Sequence, residues 1–357
     1  MEIINKKRIV FIIGSMRRGG AERVISILAN NYAESGWEVD ILTLLDDSND
    51  YELNSKIVVN PICGKSNSRL RQMPKWLYDV RKHVKETNPN IIVSFIARVN
   101  IVTLLSCIGL KKRIVVSERS DPKADGRSIF VKLATYFLYP SANLIVFQTK
   151  WAKSNFPQLI QQNSAIIYNP INIKVEAKKE KSKKIVAVGR LNKEKNHEML
   201  IRAFKEVHFK YPEYELYIYG EGTLREDLER QIHELELLNS VFLPGNVIDI
   251  HEKISDAEIF VLPSNYEGMS NALLEAMMMG LPCISTDYPG ADEVINDDFN
   301  GIIVERDNEQ QISRTICELI NDPKKRNTLG ENGKETVLKM KEKNIIETWK
   351  KHLEIEI

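Results

Sequence analysis

Ile9-Val-Phe-Ile-Ile-Gly14-Ser-Met-Arg-Arg-Gly19-Gly20-Ala-Glu-Arg23-Val-Ile-Ser-Ile-Leu28 reads as one folding unit: a short apolar strand, a glycine-rich turn and the start of an amphipathic helix. After Arg8, the strand Arg8–Ile13 carries no polar residue, which marks it as buried on both faces, as in parallel sheets. Val24, Ile27, Leu28 and Asn31 then recur at helical spacing. Adjacent glycines let the backbone approach a ligand closely, and the helix start offers free N–H groups to an anion. A glycine pair also serves any tight strand-to-helix turn, so alone it is weak. It is not the GxGxxG dinucleotide pattern, and no ribose-binding acid follows on the second strand, which weighs against NAD.

The same alternation runs along the chain. Val39–Leu45, Ile57–Val59, Ile91–Ile96, Ile114–Ser117, Leu144–Phe147 and Ala165–Tyr168 read as strands, with helices over Pro74–Lys85, Val99–Ile108, Ile129–Leu138 and Lys150–Asn155. Lys174–Lys184 is almost wholly charged and breaks the pattern. Strands Ile185–Val188, Glu215–Tyr219, Val241–Leu243, Ile259–Leu262 and Cys283–Ser285 follow, separated by helices over His197–Lys210, Leu224–Leu235 and Asn271–Met279, with Glu309–Asn321 after the last. The expected organisation is an α/β chain of two Rossmann-like, doubly wound parallel-sheet domains facing across a cleft. The first spans 1–168, a linker 169–184 and the second 185–338, with a helix over 339–357 packing back toward the first.

Length and composition agree with this. At 357 residues the chain exceeds one ordinary core, and 43% hydrophobic with 28% charged residues is a globular composition. No apolar run approaches the roughly 20 residues of a membrane helix, and Met1–Arg8 does not read as a secretory signal. Cys63, Cys107, Cys283 and Cys317 form no CxxC pair and suit a reducing cytoplasm. The net charge of +1 hides an asymmetry: residues 1–168 hold 24 Lys+Arg against 14 Asp+Glu, and residues 169–357 hold 26 against 35. Either the two halves face different partners, or their charges attract one another.

Two further motifs carry chemistry. Gly189-Arg190-Leu-Asn-Lys-Glu-Lys195-Asn196 follows the first strand of the second half. Arg190 offers a planar fork of donors and Lys195 a compact charge, a pair suited to a diphosphate, with two solvated loop cations as the plainer reading. Glu267-Gly-Met-Ser-Asn-Ala-Leu-Leu-Glu275 is the most specific stretch. Its turn brings backbone N–H groups and a helix start to one point, and its two carboxylates can accept hydrogen bonds from sugar and ribose hydroxyls. A surface Glu and a first-turn Glu complementing the helix dipole is the plainer reading here.

In this order and spacing, Gly-Gly-Ala-Glu-Arg, Gly-Arg-Leu with Lys195, and Glu267…Glu275 resemble the retaining glycosyltransferases of family 4, of GT-B fold. Ser94-Phe95, Ser117-Glu118, Asn169-Pro170 and Gly220-Glu-Gly222 look similar to the members that assemble capsule, lipopolysaccharide O-chain or lipid-linked oligosaccharide, N-acetylgalactosaminyltransferases among them. The resemblance implies that Gly19 and Gly20 lie against the donor's distal phosphate, and that Arg190 and Lys195 hold the diphosphate. It gives Glu275 the ribose and Glu267 the donor sugar, with Met269, Ser270 and Asn271 contacting sugar and phosphate. Asn246 and Val247 would sit by the nucleobase, with Gly222 and Leu224 bordering the site. Many relatives carry a histidine after the glutamate of the Ser-Glu pair. Here Arg119 stands there, so that role does not transfer; Glu118, Arg119 and Asp121 are acceptor-side candidates or parts of a structural loop.

The expected activity is metal-independent transfer, with retention, of a hexose or N-acetylhexosamine from a UDP-sugar to an undecaprenyl-diphosphate-linked saccharide. No Asp-x-Asp motif stands in the chain, and no cofactor is expected beyond the donor, itself a substrate. The expected location is cytoplasmic, peripheral at the inner-membrane face. Lys65–Lys85, with Lys65, Arg69, Arg71, Lys75, Arg81 and Lys82 around Met73, Trp76, Leu77 and Val80, suits anionic lipid or a surface helix packed on the sheet. No nucleic-acid-binding motif accompanies the basic residues. Rival readings are a catalytically silent scaffold of an assembly complex and a GT-B sugar-nucleotide epimerase, which would need cleft histidines and carboxylates for acid–base work. His197, close to Lys195, is the one histidine that stands out.

Overall fold

The computed structural model describes residues 7–17, 19–62, 69–119, 126–173, 175–178 and 180–355, the side chains of residues 69–71 excepted. The chain divides into two units: residues 1–170 with 343–357, and residues 171–342.

The first unit is built on seven strands: β1 (Arg8–Ile13), β2 (Glu38–Thr43), β3 (Ile57–Pro61), β4 (Ile91–Phe95), β5 (Arg113–Glu118), β6 (Leu144–Phe147) and β7 (Ser164–Ile166). They pair in parallel in the order β3-β2-β1-β4-β5-β6-β7. Successive residues of a strand point to opposite faces. Accordingly Ile9, Phe11 and Ile13 pack with Val24, Ile25, Leu28 and Tyr32 of the helix Gly20–Glu34, while Val10 and Ile12 pack with Trp76, Val80 and Val84 on the other side. That second layer includes the helix Arg69–Thr87, which starts upstream of Pro74. Pro74 sits early enough that only one intrahelical bond, to the first turn, is lost. Trp76 is 5% exposed, and Met73 and Leu77 pack on the same core. The apolar stripe of this helix therefore faces the sheet, and of the two readings of Lys65–Lys85 the packed one holds. Lys65 lies outside the described residues.

The second unit repeats the plan with β8 (Lys184–Val188), β9 (Glu215–Tyr219), β10 (Val241–Gly245), β11 (Ile259–Leu262), β12 (Cys283–Thr286) and β13 (Ile302–Val304). Their order is β10-β9-β8-β11-β12-β13, again wholly parallel. Both sheets thus reverse direction beside their first strand, at β1/β4 and at β8/β11, the point where ligands meet open α/β sheets. Both units are Rossmann-like, as the alternation predicts.

The short helix Ile250–Ile254, β13 and the helix Pro323–Val337 of the second unit escape the sequence pattern. The longer helix contains Gly330 and Gly333 and shows little apolar periodicity. A Cβ on Gly330 would stand 2.2 Å from the Gly280 carbonyl oxygen, so the glycine is there for a backbone crossing. The helix Glu342–Leu353 gives Ile345, Ile346, Trp349 and Leu353 to the core of the first unit, and Arg113 Nη2 donates to the His352 carbonyl at 2.7 Å. Within the stretch 169–184, Lys178 and Ser182 donate backbone hydrogen bonds to the Ser255 and Asp256 carbonyls of the second unit.

Candidate functional site

In the second unit, three loops meet where the strand order reverses. The loop after β8 and the loop after β9 lie backbone to backbone: Gly189 N donates to Tyr219 O, Leu191 N to Glu221 O and Leu224 N to Leu191 O, at 2.9, 3.0 and 3.0 Å. A Cβ on Gly220 would be 2.0 Å from Gly189 O, and one on Gly222 would be 2.2 Å from Leu191 O. Gly220 also has φ +143, a conformation L side chains rarely adopt. These two glycines therefore exist for the loop crossing, and Gly222 is exposed beside it while half-buried Leu224 packs against the core.

The loop after β11 closes onto the first. Asn265 N donates to Glu194 O at 2.8 Å, and left-handed Asn196 donates from Nδ2 to Asn265 Oδ1 and Asp307 Oδ1 at 3.1 and 3.0 Å. The result brings Lys195 Nζ to 2.5 Å from Glu267 Oε1, with side chains only 15% and 10% exposed. Ser264 Oγ donates to the same carboxylate oxygen at 2.7 Å, and Thr286 Oγ1 fixes the Ser264 carbonyl at 2.5 Å. Burial, with the Glu267 charge as the next cause, holds the Tyr288 hydroxyl well above its ordinary pKa. Arg190, by contrast, has a side chain 77% exposed and only a 3.9 Å approach to Glu194. One cation is thus fixed and the other is mobile in reach.

Buried Ser270 caps the helix Asn271–Met278, its hydroxyl accepting from Leu273 N at 3.4 Å. Its side chain is engaged in the cap, and Met269 and Asn271 flank it at the helix start. Glu275 lies one turn further on and its Oε2 is 3.0 Å from His251 Nε2. Asn246 and Val247 directly follow β10, whose pairing with β9 shifts register before Gly245. His197 is buried beneath the loop after β8, and burial, with Lys195 adding, lowers its pKa to about 4.

In the first unit, Gly19 and Gly20 stand at the start of the helix that follows β1. Tyr51 clamps Gly19 from both sides: its hydroxyl donates to Gly19 O at 2.7 Å and accepts from Gly19 N at 3.0 Å. Glu118, at the end of β5, is buried. It receives Arg127 Nη1 and Nη2 at 3.2 and 3.1 Å and the Tyr139 hydroxyl at 2.9 Å. Asn100 extends the network to Tyr139, Ser117 O and Ser94. This carboxylate ties the end of β5 to Arg127. Arg119 is enclosed as well, its guanidinium 4.9 Å from the Phe95 ring and 5.6 Å from the Trp349 ring, with Nη1 donating to Asn169 Oδ1 at 2.8 Å. Burial lowers its pKa to about 9. Asp121 lies outside the described residues.

The helix Ile129–Leu138 is inverted relative to the others: its apolar side faces outward. Ile129, Phe130, Leu133, Tyr136 and Phe137 are 62%, 77%, 49%, 52% and 72% exposed, and Thr135 is its buried residue. At 100° per residue they fill one continuous arc, with exposed Lys132 at its edge. Among the described residues no helix is long and apolar enough to cross a membrane.

Sequence reasoning named Lys195, Glu267 and Glu275, and the structure pairs the first two directly. That reasoning missed Tyr51, Ser264 and His251, which act by distance in space. Ser264, three residues before Glu267, is the one that local spacing would have disclosed.

The chain matches the family described as Glycosyltransferase Family 4 over residues 18–175 and that described as Glycosyl transferases group 1 over residues 169–336. It is 30% identical to the N-acetylgalactosamine-N,N'-diacetylbacillosaminyl-diphospho-undecaprenol 4-alpha-N-acetylgalactosaminyltransferase of Campylobacter jejuni, over 90% of this chain and 92% of that one. A second Campylobacter jejuni protein, an alpha-1,4-N-acetyl-D-galactosaminyltransferase acting on a diNAcBac-PP-undecaprenol glycan, is 26% identical over 96% and 97%. In fold the chain is similar to Anabaena HepE in complex with UDP, with a TM-score of 0.85, 18% identity and coverage of 98% and 99%.

Proposed function

The chain belongs to the family 4 glycosyltransferases of GT-B fold, and from that premise we propose that it transfers a hexose or N-acetylhexosamine from a UDP-sugar to a lipid-linked saccharide. The setting is the assembly of a bacterial surface polysaccharide or glycan, and the anomeric configuration is retained. The observation that carries this reading is the Lys195–Glu267 pair beneath exposed Arg190, beside the helix start at Asn271.

Cleaving the sugar–diphosphate bond builds negative charge on the departing phosphate. Arg190, Lys195 and the positive end of the helix dipole at Asn271 stabilise that charge without a metal ion. Glu267 accepts hydrogen bonds from the donor sugar's hydroxyls, and its pairing with Lys195 keeps a carboxylate tolerable next to a diphosphate. Glu275 binds the ribose, and Asn246 and Val247 border the base. Retention follows from attack on the face the phosphate leaves, with that phosphate taking the acceptor's proton.

The acceptor reading draws on the undecaprenol-linked substrates in the names of the two Campylobacter relatives. Its second support is the exposed arc of the helix Ile129–Leu138 on the more basic half of the chain, which suits an anionic membrane face.

The test is thermal stabilisation by a panel of nucleotide sugars and nucleoside diphosphates, with and without chelator, followed by transfer to undecaprenyl-diphosphate-linked glycans. Chelator-insensitive stabilisation by UDP and one UDP-sugar, with that sugar transferred, is the expected result. Binding without hydrolysis or transfer would make the chain a silent scaffold.

A further inference from the structure

The carboxylate given the ribose has a partner of its own. Glu275 Oε2 lies 3.0 Å from His251 Nε2, and the two side chains are 12% and 22% exposed. A carboxylate only accepts, so Nε2 carries the hydrogen and donates. His251 sits on the short helix Ile250–Ile254, four residues after Val247. That helix is anchored at its C-terminal end, where Ile254 is buried and the Ser255 carbonyl accepts from Lys178 N at 2.8 Å. One short element therefore joins the segment that follows β10 to the carboxylate given the ribose.

We propose that His251 is a positioning residue for ribose recognition. It fixes one oxygen of Glu275 so that the carboxylate is already oriented toward the two ribose hydroxyls before the donor arrives. This rests on the donor reading above. A glutamate has three rotatable side-chain bonds, and ordering them during binding subtracts from affinity; a bond made during folding removes that loss.

The experiment titrates wild type, His251→Leu, His251→Asn, His251→Gln and Glu275→Gln with UDP, 2′-deoxy-UDP and 3′-deoxy-UDP by calorimetry, with unfolding midpoints recorded alongside. His251→Leu is expected to bind UDP about tenfold more weakly, the scale of a hydrogen bond to a charged group. Its affinity for the deoxy compounds falls less, so the advantage of an intact ribose shrinks. His251→Asn, too short to reach, behaves as His251→Leu while keeping a polar side chain, and His251→Gln, whose amide nitrogen reaches the same point, restores discrimination. In turnover the donor KM rises while kcat holds. Wild-type discrimination in both His251→Leu and His251→Asn overturns the proposal. A wild type that ignores UDP, or does not distinguish it from the deoxy compounds, instead overturns the donor reading, and the proposal falls with it.

Discussion

Lys195 Nζ and Glu267 Oε1 lie 2.5 Å apart although the residues belong to different loops, one after β8 and one after β11. The pair holds together the two loops at the reversal point of the second sheet. Lys195→Ala and Glu267→Ala should each lower the transfer rate by about 100-fold or more, the scale of losing one preorganised electrostatic group. Both variants should still unfold cooperatively. Single-turnover transfer with a saturating donor checks this, and full activity in either would sink the site assignment.

His197 makes stability depend on pH. Its folded pKa of about 4 lies below the ordinary 6.5, so between those values the unfolded chain binds more protons than the native one. The stabilising contribution is complete above pH 6.5 and declines by about 1.4 kcal/mol per pH unit as pH falls toward 4. The difference in urea stability between wild type and His197→Met, followed from pH 7 to pH 5, should shrink in that direction.

Gly220→Ala and Gly222→Ala should each destabilise the second unit by a few kcal/mol, because backbone atoms must move out of the way of the new methyl. Gly220→Ala is the worse, since its φ of +143 is strained for any side chain. Thermal melts and UDP titrations should show both stability and affinity falling together.

Arg127→Met should cost about 3–5 kcal/mol, the usual penalty for removing one member of a buried ion pair. Tyr139→Phe, which removes one hydrogen bond to Glu118, should cost about 1–3 kcal/mol. Denaturant midpoints would rank them, and the reverse order would remove Glu118 from its anchoring role.

Phe130→Ser with Phe137→Ser should leave the melting temperature unchanged, because both rings are exposed. Binding to vesicles containing anionic lipid should weaken by roughly tenfold or more, given about 1.5–3 kcal/mol per phenylalanine buried in lipid. Vesicle co-sedimentation that does not distinguish the variant from wild type would exclude this helix as the membrane contact.

Much of this could be read from residue order. The apolar run Arg8–Ile13, the glycine turn and the helix after it are local, and so are Gly189–Asn196 and Glu267–Glu275. Each motif sits on a strand-to-helix connection, whose position is fixed by periodicity alone. Helix direction was harder to read. Arg69–Thr87 and Ile129–Leu138 are both amphipathic, and the first looks the better lipid binder because it carries the basic residues. Yet Trp76 turns inward while Phe130 and Phe137 turn outward. Periodicity says that an apolar face exists, and only the neighbouring sheet says whether that face is covered.

The sequence by itself determined the two α/β halves, the family and the motifs at the strand-to-helix turns, because strand and helix periods and short motifs are encoded within a few neighbouring residues. The tertiary structure decided which of those residues meet. Lys195 reaches Glu267 across 72 positions, His251 reaches Glu275 across 24, and Arg127 and Tyr139 consume Glu118. The physical reason is that charges and hydrogen bonds act over a few ångströms of space, and the order of strands in a sheet, which sets those distances, is settled by packing across the whole unit.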